Sequence, residues 1–139
     1  MSETLVIHTD GGARGNPGPA AVGVVFEVGD WQELHGRTIG ETTNNVAEYT
    51  ALQDAVAQLP HILEEHPGIE KIEFYLDSQL VVRQMIGEYK IKEPTLQMLA
   101  RGIHEQLQQL AANPSFTYVP RAQNKMADKL VNQALDGQL

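Results

Sequence analysis

Four acidic residues lie where predicted strands and helices of this chain begin or end. Asp10 and Asp77 each follow a run of β-branched and apolar residues, whereas Glu48 and Asp128 each fall in the first turn of a predicted helix. Strand ends and helix starts meet at one edge of an open α/β sheet, so the four carboxylates can converge there. Carboxylates held together without basic partners repel one another, and hard divalent cations such as Mg²⁺ relieve that repulsion. The pattern therefore favours a metal site, and a pair of ions ~4 Å apart would suit phosphoryl displacement.

Glu48 gives the strongest single indication of such a site. It lies four residues before Leu52 and shares a helix face with the apolar residues Leu52, Val56 and Leu59. A carboxylate on the face that packs against a sheet is costly unless it is paired or binds a metal. The helix dipole, worth under ~1 kcal/mol, explains an acid in the first turn but not an acid on the core face.

The other three acids each have a purely structural interpretation as well. Asp10 precedes two glycines and could start a turn, Asp77 could cap a helix, and Asp128 could interact with a helix dipole. These alternatives stay open for each acid alone, and only the recurrence of acids at four element ends favours the metal site.

The elements that must position these acids begin as strands and then alternate with helices. The predicted strands cover residues 4–10, 20–28, 31–39, 72–76 and 115–119. The predicted helices run from Thr43 to about Leu59, from Ser78 to about Ile86, from Pro94 to about Ala112 and from Asn124 to about Leu135. We therefore expect an α/β fold with a five-stranded mixed sheet, in which an antiparallel meander of strands 1–3 joins parallel strands and helices flank the sheet.

The composition is typical of one globular domain, which we assign to residues 1–139. Hydrophobic residues make up 42% and charged residues 20%, and there is no cysteine, so disulfides and thiolate metal ligands are excluded. No apolar run approaches the ~20 residues of a membrane span and no secretion signal is apparent, so we expect a cytoplasmic monomer without membrane contact. The net charge of −8 by itself favours a small-molecule enzyme or an ordinary acidic domain over a nucleic-acid binder, but bound cations or a local basic face can reverse that preference.

The segments around the four acids resemble the active-site motifs of ribonuclease H type 1. They are T-D-G-G-A-R-G-N-P-G-P at 9–19, T-T-N-N-V-A-E-Y at 42–49, Y-L-D-S-Q at 75–79 and N-K-M-A-D at 124–128. The motifs occur in the family's order, and the resemblance covers essentially the whole chain. It implies the ribonuclease H fold and an endonuclease that hydrolyses the RNA strand of RNA/DNA hybrids, leaving 5′-phosphate and 3′-hydroxyl ends.

The resemblance also implies a role for each acid, with two Mg²⁺ ions as the cofactor and Mn²⁺ as a substitute. Asp10 would bridge both ions. Asp128 would help to hold the ion that activates the attacking water, and Glu48 and Asp77 would hold the ion at the leaving 3′-oxygen.

Polar side chains beside the acids are implied to contact the hybrid. Asn16, Asn44, Asn45 and Gln79 would reach its minor groove, where an amide can donate and accept hydrogen bonds without selecting a sequence. Thr43 would contact a DNA phosphate. Helix capping for the Asn pair and a simple turn at Asn16 are the structural alternatives.

The chain departs from well-known members of that family at three places. The loop before Asp128 has Arg121 and no histidine, where some members carry one. The basic helical insertion after the third motif is missing, which leaves Lys90 and Lys92, and Glu41 stands where some members have a basic residue. These differences concern affinity and product release rather than the class of reaction.

Two other functions remain as alternatives. One is another nuclease or transferase of the same fold, such as an integrase-like enzyme, and the asparagine and glutamine set argues against it. The other is a non-catalytic hybrid-binding module, and the complete set of acids argues against that.

His8 shares strand parity with Asp10, which suggests a metal ligand as one interpretation. A histidine packed within the strand is a simpler interpretation than a metal ligand. We therefore expect no histidine to carry the chemistry.

Overall fold

Five strands form a single mixed sheet in the order β3-β2-β1-β4-β5 in a computed structural model that describes residues 2–139. The strands are β1 (Glu3–Ala13), β2 (Gly18–Val28), β3 (Trp31–Thr42), β4 (Ile69–Leu76) and β5 (Ser115–Tyr118). The helices are α1 (Asn44–Glu65), α2 (Gln79–Met85), α3 (Pro94–Gln109) and α4 (Lys125–Leu135), with a 3₁₀ turn at Arg121–Gln123. The central strand β1 pairs antiparallel with β2 and parallel with β4, which confirms the predicted meander and mixed sheet.

Helices cover both faces of the sheet. On one face, α1 and α3 bury apolar side chains such as Leu52, Leu59 and Ile103 against Ile7 and Phe26 of the sheet. On the other face, α4 packs alone through two small apolar clusters. The candidate acids therefore come from a central strand, a neighbouring strand and one helix on each face.

Strand β1 continues through the glycines that were predicted to end it. Gly11 and Gly12 pair with Val22 and Ala21 of β2, so Asp10 projects from the interior of a strand. The interpretation of Asp10 as the start of a turn is therefore wrong. Glycine is weak in strands in general, but here it lets a helix backbone approach the strand closely.

Helix α1 also exceeds its predicted length. It was expected to end at about Leu59 but runs to Glu65 with Pro60 inside it. Proline removes one helical hydrogen bond and usually ends or kinks a helix. The apolar face continues beyond it to Ile62, which is fully buried, and this packing holds the last turn in place.

The predicted helix starts at Thr43 and Ser78 are confirmed by their capping bonds. The Thr43 hydroxyl accepts a hydrogen bond from the Val46 amide at 3.2 Å, and the Ser78 hydroxyl accepts one from the Val81 amide at 3.3 Å. Since Ser78 caps α2, Asp77 is not needed as a cap. Within residues 2–139, no helix is long and apolar enough to cross a membrane.

Candidate functional site

The four predicted acids meet at one end of the sheet. Carboxylate oxygens of Asp10, Glu48 and Asp77 lie within 4.8 Å of one another, a spacing at which they could hold a metal ion. Asp128 comes close enough to Asp10 for the two carboxyl groups to share a hydrogen bond. The structure therefore brings all four together, although Asp10 and Asp128 are separated by most of the chain.

Burial and mutual repulsion oppose ionisation of this cluster. Burial, followed by the charges of Asp77 and Asp128, raises the pKa of Asp10 to about 8. Burial, followed by the charges of Asp10 and Asp77, raises the pKa of Glu48 well above its ordinary value. Arg121 lowers the pKa of Asp10 and is the cation that acts on it. One guanidinium among four carboxyl groups leaves the cluster short of positive charge.

Two carboxylate oxygens in the cluster are buried without any hydrogen-bond partner, Glu48 Oε2 and Asp77 Oδ2. Buried polar atoms are nearly always satisfied in folded proteins, because an unsatisfied group loses its hydration without compensation. Hard divalent cations bind such oxygens directly. The donor set of this site, all carboxylate oxygen, thus fits a hard divalent cation.

A cleft of about 410 Å³ opens onto these carboxylates. Residues 10–14, the start of α1 and one face of α4 from Asp128 to Leu135 form its walls, and Asn44 and Asn45 are among the polar residues that line it. Arg14 and Arg121 contribute positive charge to the same walls. A phosphate entering the cleft would therefore meet both cations and the acid cluster.

The backbone of Gly11 sets the distance between Glu48 and Asp10. Its amide donates a hydrogen bond to the Glu48 carboxylate, which lowers the pKa of that group against the larger effect of burial. A Cβ at this position would overlap the carbonyl oxygen of Ala47 and crowd the Glu48 amide. The close contact of β1 with α1 thus requires glycine here.

Helix α4 is held against the sheet by an equally close approach. A Cβ at Gly23 of β2 would overlap the carbonyl oxygen of Ala127, the residue before Asp128. At the far end of the helix, the Arg14 guanidinium donates to Asp136 at 2.6 Å and to Asn132 at 3.2 Å. These contacts hold α4 close to the sheet and thereby position Asp128, which this helix carries.

Two of the predicted nucleic-acid contacts, Asn16 and Asn44, are joined to each other. The Asn16 side-chain oxygen accepts from the Asn44 amide at 3.0 Å, and the Asn44 side-chain oxygen accepts from the Ala13 amide at 2.9 Å. The side-chain NH₂ groups of both residues remain available as donors. The loop after β1 and the start of α1 are thereby fixed together beside the cleft.

The remaining predicted contacts are placed differently. Asn45 lines the cleft, whereas Thr43 and Gln79 lie outside its lining. Thr43 uses its hydroxyl as a helix cap, and Gln79 is exposed in the first turn of α2. Capping and nucleic-acid contact are compatible for Thr43, since a hydroxyl can accept one hydrogen bond and donate another.

Sequence reasoning missed the contacts that Asn124 makes with β1. Asn124 is buried and binds both His8 and the backbone of Thr9, at 3.0 and 2.9 Å. His8 is half-buried in β1 and its ring stacks on Tyr75 with centroids 5.3 Å apart, which confirms its interpretation as a histidine packed within the strand. The group of potential metal ligands found in residues 2–139 comprises Asp10, Glu48 and Asp77. No local sequence pattern could have predicted a contact between His8 and Asn124, which are 116 positions apart.

The chain is similar to ribonucleases H along nearly its full length. Residues 8–134 match the family model described as reverse transcriptase-like. A ribonuclease H1 named LC11, solved in complex with an RNA/DNA hybrid, is 44% identical, with a TM-score of 0.89 over 96% of this chain and 97% of that one. The ribonuclease H1 of Halobacterium salinarum is 41% identical, with a TM-score of 0.85 over 96% of this chain and 98% of that one.

Two of the curated relatives extend well beyond the region that this chain matches. A bifunctional protein of Mycobacterium tuberculosis is 39% identical over 138 residues, which are 95% of this chain and 35% of that protein. Ribonuclease HI of Halobacterium salinarum is 43% identical over 131 residues, which are 93% of this chain and 63% of that protein. The chain thus spans from about a third to under two thirds of the length of these relatives.

Proposed function

Because this chain belongs to the ribonuclease H type 1 family, we propose that it is a metal-dependent endonuclease that hydrolyses the RNA strand of RNA/DNA hybrids. The products would carry 5′-phosphate and 3′-hydroxyl ends. The observation that carries the proposal is the convergence of Asp10, Glu48, Asp77 and Asp128 on an open cleft with buried, unsatisfied carboxylate oxygens. We take residues 1–139 as one catalytic domain, since the site draws on elements from β1 to α4.

The metal in this proposal is Mg²⁺, as two ions, with Mn²⁺ as a substitute. When bound, such a pair neutralises the carboxylates and stabilises the attacking and leaving oxygens of an in-line phosphoryl displacement. Asp10 would be the acid shared by both ions, a role supported by its hydrogen bond with Asp128 and by ligand atoms of Glu48 and Asp77 within 4.8 Å. Asp128 would serve the side of the attacking water, and Glu48 and Asp77 the side of the leaving 3′-oxygen.

The protein's own groups would bind and orient the hybrid around this centre. The side-chain NH₂ groups of Asn16 and Asn44 can donate to minor-groove acceptors and RNA 2′-hydroxyls, and their mutual bonding holds them in place for that. Asn45 and Gln79 would extend the groove contacts. Thr43 would donate its hydroxyl proton to a DNA phosphate while still accepting from Val46.

One cleavage assay tests the proposal directly. End-labelled RNA/DNA hybrid, double-stranded RNA and double-stranded DNA are each incubated with the protein and Mg²⁺. We expect cleavage within the RNA strand of the hybrid, dependent on Mg²⁺, and no cleavage of the DNA. Binding of the hybrid without cleavage would instead identify a non-catalytic module, and cleavage of DNA would identify an integrase-like enzyme.

Mg²⁺ should stabilise the protein more at pH 8 than at pH 6. Asp10 keeps its proton in the folded, metal-free protein up to a pKa of about 8, whereas in the unfolded chain it loses that proton near pH 4. Between these values the folded state binds more protons, so its stability falls as pH rises. Mg²⁺ removes that penalty by binding the ionised carboxylate. Thermal unfolding with and without Mg²⁺ at the two pH values measures the effect, and an equal shift at both would contradict it.

Hybrid binding should depend only weakly on salt. The net charge is −8, and of the two cleft arginines Arg14 is already paired with Asp136, so few counterions would be released from the phosphates. Binding of labelled hybrid by an inactive variant is measured over a range of KCl at fixed Mg²⁺. A slope that implies roughly six or more phosphate contacts would disprove this prediction and indicate an extended basic face.

We also propose that the protein acts as a monomer in the cytoplasm. All four acids come from one chain, so the site needs no residue from a partner. Gel filtration at working concentration tests the monomer.

A further inference from the structure

A chain of side-chain contacts connects β1 to the first turn of α4 behind the acid cluster. Asn124 is 1% exposed, and its side-chain nitrogen donates to the carbonyl oxygen of Thr9 at 2.9 Å. Its side-chain oxygen lies 3.0 Å from Nδ1 of His8. Its backbone carbonyl accepts from the amide of Asp128 at 3.1 Å. Asn124 therefore bridges the residue that precedes Asp10 and the backbone of Asp128.

The chemistry of these groups fixes the direction of each hydrogen bond. A carbonyl oxygen can only accept, so the Asn124 group that faces Thr9 must be the NH₂. The oxygen of the same amide then faces His8 and can only accept. His8 must therefore carry a proton on Nδ1 and donate it to Asn124.

Asn124 does not use its side chain in the way its position would suggest. It occupies the N-cap of α4, where an asparagine side chain normally accepts a hydrogen bond from the first turn of the helix. Here that capping bond is not made, because the side chain is turned towards β1. Asn124 therefore connects α4 to β1 instead of capping the helix.

His8 is held in place for this bond by the neighbouring strand. Its ring stacks on the ring of Tyr75 in β4, with centroids 5.3 Å apart and planes inclined by 26°. The Tyr75 hydroxyl in turn donates to Glu73 at 2.9 Å. The imidazole thus has a fixed position on the face of β1 that also carries Asp10.

We propose that His8 is a positioning residue for the acid cluster. Its Nδ1–H holds the Asn124 amide in the orientation that ties the start of α4 to Thr9, and this sets the position of Asp128 relative to Asp10. His8 itself contacts none of the reacting atoms. The kinetic part of this inference rests on the proposed ribonuclease H activity, whereas its structural part concerns the metal-free protein.

Three substitutions separate the hydrogen bond of His8 from its packing. His8→Phe keeps an aromatic ring against Tyr75 but has no donor. His8→Asn and His8→Leu are similar in size, and only asparagine offers an NH₂ near the place of Nδ1. His104→Phe, on the exposed face of α3, is the control for a histidine remote from the cleft.

Hybrid cleavage is measured for each variant over a range of substrate and Mg²⁺ concentrations. We expect His8→Phe and His8→Leu to lower kcat about three- to tenfold, less than the ~10²–10⁴-fold loss for a general acid–base residue. KM for the hybrid should stay within about twofold, since His8 does not touch it, and the Mg²⁺ concentration for half-maximal activity should rise. His8→Asn should recover at least about half of kcat. Equal kcat for His8→Asn and His8→Leu, or wild-type kcat for both donorless variants, would overturn the inference.

A second readout uses the metal-free protein and no activity. The side-chain NH₂ of Asn124, observed by NMR, should exchange slowly with solvent in the wild type and in His8→Asn, and faster in His8→Leu. Unchanged exchange of the Asn124 NH₂ in His8→Leu would show that His8 does not hold the Asn124 side chain and would overturn the inference. If the wild type cleaves no hybrid, the proposed function fails while this measurement still decides the inference. If His8→Phe does not fold, the asparagine and leucine pair decides it.

Discussion

Asp10→Asn should abolish hybrid cleavage and, at the same time, make the metal-free protein more stable. Asp10 is the acid that the other three surround, so the substitution removes the charge that both metal positions would share. We expect the rate to fall below about a tenth of the wild-type value, a loss of more than ~1.4 kcal/mol in transition-state stabilisation. Retention of a higher rate would show that the metal assignment is wrong.

The gain in stability follows from the same geometry. In the wild type, burial and the neighbouring acids raise the pKa of Asp10 to about 8. At pH 8 this carboxyl group ionises more readily in the unfolded chain than in the folded protein, which lowers the free energy of unfolding. The asparagine side chain has the same shape but does not ionise, so this destabilisation is absent in the variant. Since each pKa unit corresponds to about 1.4 kcal/mol, we expect a gain of at least about 1 kcal/mol in the free energy of unfolding at pH 8 without metal. Below about pH 3, where both the folded and the unfolded state carry the proton, the gain should vanish.

Asp30→Asn is the matched control for both measurements. It makes the same chemical change in the exposed turn between β2 and β3, away from the acid cluster. Its cleavage rate and its stability in metal-free buffer should stay close to those of the wild type. A decrease in the stability of Asp10→Asn at pH 8 would mean that Asp10 is ionised and well paired in the folded protein.

The acids could be predicted from the sequence because all four recur at the ends of elements that local patterns predict. Asp77 follows a β-branched run and precedes a serine cap, and Asp128 lies in the first turn of an amphipathic helix. Glu48 stands out because a charge falls on an apolar helix face. Such patterns involve only a few neighbouring residues, so they can be recognised in the sequence without knowledge of the fold.

The parts that could not be predicted depend on contacts between distant segments. The glycine pair after Asp10 is a turn signal in local terms, yet β1 continues, because Gly11 and Gly12 pair with β2 and Gly11 lies directly against the backbone of α1. Pro60 reads as a helix end, yet burial of Ile62 carries α1 past it. The bond between His8 and Asn124 joins residues 116 positions apart, for which no periodicity exists. In each case tertiary packing overrides a local preference.

Gly11→Ala should damage both the fold and the activity, although it adds a single methyl group. The new Cβ would overlap the carbonyl oxygen of Ala47 and crowd the amide of Glu48. These are backbone atoms of α1, which cannot rotate away as a side chain can, so the helix must move from the strand. Overpacking of this kind typically costs about 1–3 kcal/mol, and we expect a loss at the upper end of that range by urea unfolding.

The loss of activity should exceed what this loss of stability alone would cause. Movement of α1 would break the hydrogen bond from Gly11 to the Glu48 carboxylate and carry Glu48 away from Asp10. A displacement of about 1 Å in a catalytic group can cost ~10²-fold in rate, so folded Gly11→Ala should lose on that order. Gly12→Ala is the matched control, because its Cβ would meet Val131 Cγ1 at an ordinary 3.7 Å. If Gly11→Ala and Gly12→Ala behaved alike in unfolding and in cleavage, the contact of β1 with α1 could not be what fixes Glu48 beside Asp10.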